Sequence, residues 1–293
     1  MAYLLTCHKN PEQINMFIKQ LLSYGDCDVY IHVDSKNKEI VKKIYSNERV
    51  HCYSKYDVRW GSVEIVLAGL YLMKKALESG IDYTHMYFGS GQDFLVKKGL
   101  YEHLEKTNKS VYIHINGKVK TRDRAAARYK IEWPRKLMIR NDFHIYRFVR
   151  IAFQMLHRIG IDIYPNKKIL KNKVDFYDGH TWFIAKTEVI RYILDYVQKN
   201  PDYIKYWAKS LAADLMFFHT IIMNSPYKND TAEELMYVNF GKTFGTMNHP
   251  STVKVNDLKK IETGNWYCAR KFELYESEAS REAIIRCLEH TME

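Results

Sequence analysis

Thr84-His85-Met86-Tyr87-Phe88-Gly89-Ser90-Gly91-Gln92-Asp93 decides how this chain is read. Its apolar start predicts a buried strand, and the Gly-Ser-Gly-Gln loop then leads out of that strand to a carboxylate. Working outward, Ala2–Cys7 and Asp28–Val33 are strand-like, and Val50–Tyr53 is a short strand. Between them, residues 12–22 place Ile14, Phe17, Ile18, Leu21 and Leu22 on one helical face. Ser62 is expected to cap a long helix carrying Ile65, Val66, Ala68, Gly69, Leu72, Met73 and Leu77. A helix over about 99–106 and a strand over 111–115 follow. This βαβα order predicts an α/β fold with a mostly parallel central sheet and helices on both faces. In such sheets ligands gather at the C-terminal strand ends. The positions there are His8, Asp34, Trp60-Gly61 and Ser90 to Asp93.

The 293 residues, 46% of them hydrophobic, support a sizeable core, and 13 Gly and 6 Pro give no sign of low complexity. One domain is expected over 1–293, with a nucleotide-side half at about 1–115, an acceptor-side half at about 116–272 and a C-terminal helix in 273–293. No run of about 18 apolar residues predicts a spanning helix. No charged segment precedes the first strand, so no signal peptide is expected. The five cysteines, Cys7, Cys27, Cys52, Cys268 and Cys287, are odd in number and show no C-x-x-C spacing. They are expected to be buried free thiols in a reducing, cytoplasmic setting, with no zinc site.

The net charge of +11 is concentrated. Residues 135–173 carry ten Lys or Arg against Asp142 and Asp162, a net +8 in 39 residues, which points to an anionic surface. Within it, residues 143–159 form a predicted helix with Phe, Ile and Leu broken by Arg147, Arg150 and Arg158. Two readings are open: a helix lying in a membrane interface with its arginines near anionic lipid, or one packed on the sheet with its arginines at the rim. Further along, residues 174–186 contain an aromatic strand, Trp182-Phe183-Ile184. Helices are expected over about 187–198, over 210–223 with Ser210 as cap, and over 276–291. Nucleic-acid binding is disfavoured, because strand-end acids are present and no basic aromatic RNA motif is.

Asp26-Cys27-Asp28 is the chain's one Asp-x-Asp, the pattern by which many nucleotide-sugar enzymes hold a divalent cation. It lies in the turn before a strand, not past a strand's C-terminal end, so no metal is assigned to it. Without a metal, a diphosphate must be neutralised by Arg, Lys or backbone amides. Arg270-Lys271 beside Trp266-Tyr267 offers such cations. Asp257 is expected at the start of a helix.

Taken in order, Trp60-Gly61, Ser90-Gly91-Gln92-Asp93, Trp182-Phe183, Phe217-Phe218-His219-Thr220, His249-Pro250, Asp257 and Ala269-Arg270-Lys271-Phe272 resemble the core-2/I-branching glycosyltransferase family. That family includes β-1,6-N-acetylglucosaminyltransferases and protein O-xylosyltransferases, and the resemblance runs from about Ala2 to Phe272. It implies a GT-A fold, a UDP-sugar donor, inversion at the anomeric carbon, and no metal or other cofactor. Donor contacts carried over by position are His8, Asp34, Trp60, Gly61, Ser90, Arg270 and Lys271. Asp93, Glu132, Trp133, Trp182 and Phe240 fall on the acceptor side. Asn239-Phe240 stands where the family often has Asp-Trp.

The family's catalytic Glu precedes the Phe-Phe-x-Thr helix. Here Leu215 occupies that position and Asp214 precedes it. Asp214 is the candidate general base, with Asp93 and Glu132 as alternatives, or with no base retained. The activity expected is transfer of GlcNAc or a related sugar from UDP to a glycan hydroxyl in bacterial surface-polysaccharide synthesis. A binding relative that has lost catalysis is the alternative. Expected partners are the UDP-sugar, a glycan or lipid-linked glycan, and anionic membrane through 135–173.

Overall fold

A computed structural model describes residues 1–139, 143–240 and 250–292. Its strands are β1 (Ala2–Cys7), β2 (Asp28–Val33), β3 (Val50–Tyr53), β4 (His85–Ser90), β5 (Asp93–Leu95), β6 (Val111–Lys118), β7 (Tyr177–Lys186), β8 (Thr231–Ala232), β9 (Met236–Val238) and β10 (Cys268–Arg270). Its α-helices are α1 (Pro11–Tyr24), α2 (Glu64–Glu78), α3 (Leu100–Thr107), α4 (Ala127–Lys130), α5 (Ile145–Arg158), α6 (Thr187–Lys199), α7 (Pro201–Trp207), α8 (Phe217–Met223), α9 (Val255–Thr263) and α10 (Glu278–Met292).

Seven strands form the main sheet in the order β3-β2-β1-β4-β7-β6-β8. The β3, β2, β1 and β4 pairings are parallel, as is β6 with β8, while β7 runs antiparallel to both β4 and β6. The expected α/β architecture, with a mostly parallel central sheet, is therefore present. β1 and β4 are central and buried on both faces, which explains their unbroken apolar runs. β7 comes from the second half of the chain yet sits between β4 and β6, so the two halves interleave in one sheet. A second sheet, β5-β10-β9, joins the chain after Ser90 to the strand that ends at Arg270.

Local details depart from the sequence expectations in several places. Ser62 does not cap α2: its hydroxyl donates to the Arg59 carbonyl at 2.8 Å, and the helix starts after Val63. The expected helix over 210–223 is split. Ala212 adopts φ 52°, which breaks any continuous helix, and a single 3-10 turn over Ala213–Leu215 precedes α8. Ser210 is buried and, among the described residues, its hydroxyl caps nothing. Asp257 does start α9, its carboxylate accepting from the Lys254 backbone N–H at 2.8 Å. All five thiols are free, four buried and Cys52 half-buried. Among the described residues no helix is long and apolar enough to cross a membrane.

Helix α5 corrects where two of its arginines lie in both readings of the basic segment. Arg147 and Arg150 are buried against the protein, so they face neither lipid nor the rim. Arg150 donates to the Ile139 carbonyl at 2.9 Å and lies 4.9 Å from the Trp60 ring centre. Arg140, Asp142 and His249 fall outside the described residues.

Candidate active site

The Ser90–Asp93 loop closes on itself. Asp93 is fully buried, and its carboxylate accepts from the Ser90 backbone N–H (2.7 Å), the Ser90 hydroxyl (2.8 Å) and the Tyr87 hydroxyl (2.9 Å). Glycine is required for this wrap. A Cβ on Gly89 would meet the Tyr87 ring at 2.0 Å and Asp93 Oδ2 at 2.7 Å, and one on Gly91 would meet Cys7 Sγ and Ile14 at 2.8 Å. Gln13 ties the loop to the last motif, donating to the Gly91 carbonyl at 3.0 Å and the Phe272 carbonyl at 3.1 Å. The acceptor role for Asp93 is thus corrected: its oxygens are spent on the loop and are out of a sugar's reach.

Asp93 instead places a cation. In the β5–β10 register it stands opposite Arg270, whose Nε lies 3.7 Å from Asp93 Oδ1. At that length it is a charge contact and not a hydrogen bond. The guanidinium also covers the Trp182 ring, 4.6 Å from its centre, a desolvated stack that contributes about 2 kcal/mol. Trp182 is buried between Arg270 and Phe88, so it is a platform for the cation and not, as expected, for an acceptor sugar. Burial pushes the Asp93 carboxyl above its usual range, while Arg270 and the Ser90 and Tyr87 donors pull it back.

Asp214 shares the field of Arg270. Its 3-10 turn hangs from Gly61: the Ala212 N–H donates to the Gly61 carbonyl at 2.6 Å. Gly61 has φ +74°, and a Cβ there would stand 3.0 Å from Leu211. The Thr181 hydroxyl donates to Asp214 Oδ2 at 2.7 Å, its one side-chain donor among the described residues. Burial raises the Asp214 pKa, opposed by the Thr181 bond and the charges of Arg128 and Arg270. Leu215 packs on the core with its side chain half-buried.

The second cation is held by a residue the sequence reading missed. Lys271 Nζ lies 2.8 Å from Glu273 Oε1, and Lys9 Nζ lies 2.7 Å from the same oxygen. Gln92 and Asn10 donate to this carboxylate as well. Burial alone would raise the Glu273 pKa, but Lys271 and Lys9 hold it below the usual value. His8, exposed, precedes Lys9. On the neighbouring strand end, Asp34 is buried and occupied, accepting from the Lys36 and Val58 backbone N–H groups and pairing with Lys36 Nζ at 2.9 Å.

Two expected acceptor residues point elsewhere. Trp133 is buried in a small core cluster with Ile131, Leu137 and Leu211, and its indole N–H donates to the Ala127 carbonyl. Its ring therefore props the segment leading to Asp214 instead of meeting a sugar. Glu132 is bound by Lys168 (3.0 Å) and Lys209 (2.8 Å), so it is not poised as a base. Those two hydrogen bonds hold its pKa below the usual value. Phe240 remains open to solvent and leans on His180, with ring centres 5.1 Å apart.

His180, His114 and Glu234 place potential ligand atoms within 4.8 Å of one another. The two imidazoles stack face to face at 4.2 Å, and each Nδ1 already bonds a carboxylate, Glu233 or Glu234. With Glu233 and Glu234 they form a hydrogen-bonded polar network across β6 and β7.

The sequence profile of the family described as Core-2/I-Branching enzyme matches residues 1–264. The chain belongs to that family. It is thus a glycosyltransferase, as the ordered motifs implied. No curated protein matches it in sequence. Among solved structures, it is similar to the galactosyltransferase LgtC in complex with donor and acceptor sugar analogues, at 9% identity and TM-score 0.40, covering 99% of this chain and 95% of that one. It is also similar to the apo form of mouse xyloside xylosyltransferase 1, at 10% identity and TM-score 0.35, covering 92% of this chain and 97% of that one.

Proposed function

We propose that this glycosyltransferase moves a sugar from a UDP-sugar to a glycan hydroxyl, with inversion and without a divalent cation, in the synthesis of a bacterial surface polysaccharide. The observation that carries this reading is that Asp214, on a 3-10 turn, lies in the field of Arg270, at the end of β10. Asp214 takes the proton of the acceptor hydroxyl as that oxygen bonds to the anomeric carbon. On the other side of that carbon its bond to the diphosphate oxygen breaks, and Arg270 and Lys271 stabilise the departing UDP. Asp34, with His8 and Trp60-Gly61, borders the uridine side, and Phe240 is the acceptor-side residue still open to a sugar.

Lys271 and Lys9 share one carboxylate, Glu273, and a diphosphate entering between them would take over part of that pairing. The donor sugar is GlcNAc, xylose or a related hexose. The reading is tested by assaying UDP-sugars for transfer and thermal shift, with and without EDTA. A UDP-sugar at a hundred times its dissociation constant stabilises by about 2.7 kcal/mol, and transfer should persist in EDTA. Activity lost in chelator and restored by manganese would refute the cation-free mechanism.

Leu215 at the expected Glu position favours one second reading, a relative that binds the donor without turning it over. UDP-sugar binding with neither transfer nor donor hydrolysis would select it.

A further inference from the structure

Helix α5 is folded inside out. Its buried side carries Arg147, Arg150, Gln154 and His157, while Ile145, Phe148, Met155 and Ile159 form one stripe facing solvent. Ile145, Met155 and Ile159 are 67%, 62% and 74% exposed. The buried polar groups are engaged: Arg124 Nε donates to Gln154 at 2.7 Å, and His157 bonds Asp162 and the Thr121 carbonyl. The reversal is therefore built into the packing. The segment after the helix extends the stripe with exposed Ile161 and Ile169. Of the fourteen large apolar side chains exposed among the described residues, eight lie in 143–169. Single exposed apolar residues are ordinary, but a cluster this dense marks a contact surface.

The rim identifies what it contacts. Lys136, Arg158, Lys167, Lys171 and Lys173 are exposed around the stripe, and no described residue of 135–173 exposes an acid. Asp162 is half-buried and bound by Arg122 and His157. A second copy docking by the same face would bring these cations against their equivalents. An anionic lipid surface complements both the charge and the apolar stripe.

We propose that residues 143–169 are a docking surface for an anionic bilayer. Helix α5 lies in the plane of the interface with Ile145, Phe148, Met155 and Ile159 among the upper acyl chains, and the rim lysines meet the headgroups. Arg150, with Arg147 buried on the same side, holds the helix to the protein. Arg150 stacks on Trp60, next to the Gly61 that anchors the Asp214 turn, so docking sets that turn near the lipid surface. This last consequence, which suits a lipid-linked acceptor, rests on the transferase reading; the docking itself does not.

Co-sedimentation of the full chain with vesicles of phosphatidylcholine, alone or mixed equally with phosphatidylglycerol, tests the proposal. Binding is expected to the mixed vesicles at low salt and to be much weaker to the neutral ones. Ile145→Ser/Met155→Ser should reduce binding about tenfold or more. Lys167→Glu/Lys171→Glu should reduce it about fivefold or more per cation, and melting temperature should be unchanged in both variants because these side chains are exposed or at the surface. Ile159→Trp should show a blue-shifted emission with mixed vesicles only. The proposal fails if wild type ignores anionic vesicles at low salt, or if the serine variant binds as well as wild type. It also fails if light scattering shows a dimer that the serine variant converts to monomer, since a second copy would then cover the face. Donor thermal shift is read in parallel, so loss of vesicle binding with donor binding intact separates this proposal from the transferase reading.

Discussion

Asp93, fully buried, and Asp214, half-buried, are carboxylates in the field of Arg270, and they are built for opposite purposes. Asp93 accepts from three donors contributed by β4, the Tyr87 hydroxyl and the Ser90 hydroxyl and N–H, and stands opposite Arg270 in a β ladder. Asp214 has one side-chain donor, Thr181, on a 3-10 turn held by a single backbone bond to Gly61. A buried carboxylate held by three donors fixes geometry and is closed to an incoming hydroxyl. An under-coordinated one, raised by burial, keeps affinity for a proton and somewhere to receive it. The number of donors and the depth of burial together distinguish the scaffold acid from the candidate base.

Exchanging either acid for its amide tests this contrast most directly. Asp214→Asn should lower kcat by about 10²–10⁴ with little change in UDP affinity, read by steady-state kinetics beside UDP titration. Its stability should move the other way. Burial raises the folded pKa of Asp214, so its contribution to stability is fully present below the unfolded pKa and is lost as pH rises through the folded one. Once pH has risen through that window the ionised group opposes folding, and there the asparagine variant should melt above wild type. A variant that melts lower and keeps its turnover would collapse the distinction.

Asp93→Asn should do the reverse. Its amide offers one acceptor oxygen to three donors, leaving buried groups unpaired at a cost of about 1–3 kcal/mol, visible as a lower Tm in calorimetry. Activity should fall through misplacement of Arg270, appearing in KM for the donor as well as in kcat. The smallest effect is expected from Thr181→Val. The Thr181 bond holds the Asp214 pKa down, so its loss should move the acidic limb of the kcat profile to higher pH without abolishing activity. An acidic limb unmoved by this change would mean that Asp214 does not titrate in the rate.

Much of the fold was legible in local pattern. The short apolar runs of β1, β2 and β4 read as buried strands, and α1 by its one-sided periodicity as a helix. The motifs themselves also stood in the chain, because Gly-Ser-Gly-Gln-Asp and Ala-Arg-Lys-Phe are contiguous. What failed was local capping at Ser62 and Ser210, where hydroxyls that favour helix starts were taken up by nearby backbone or buried. Trp133 and Trp182 failed for another reason: an aromatic ring suits a core as well as a sugar, and only packing chooses between them.

By itself the sequence determined the α/β class, the family and the identity of the cations near its end, since these depend on residue type, period and order. Tertiary structure alone decided the pairings that turn residues into a site. The antiparallel β7 entering between β4 and β6 brings Thr181 to Asp214 and Trp182 beneath Arg270, and β10 sets Arg270 against Asp93 across 177 residues of chain. It also decided which side of α5 faces the protein. Helical periodicity shows that two faces differ, but the direction each faces is fixed by what it packs against. Here that is a set of carbonyls and Trp60 that satisfy arginine better than they would bury isoleucine.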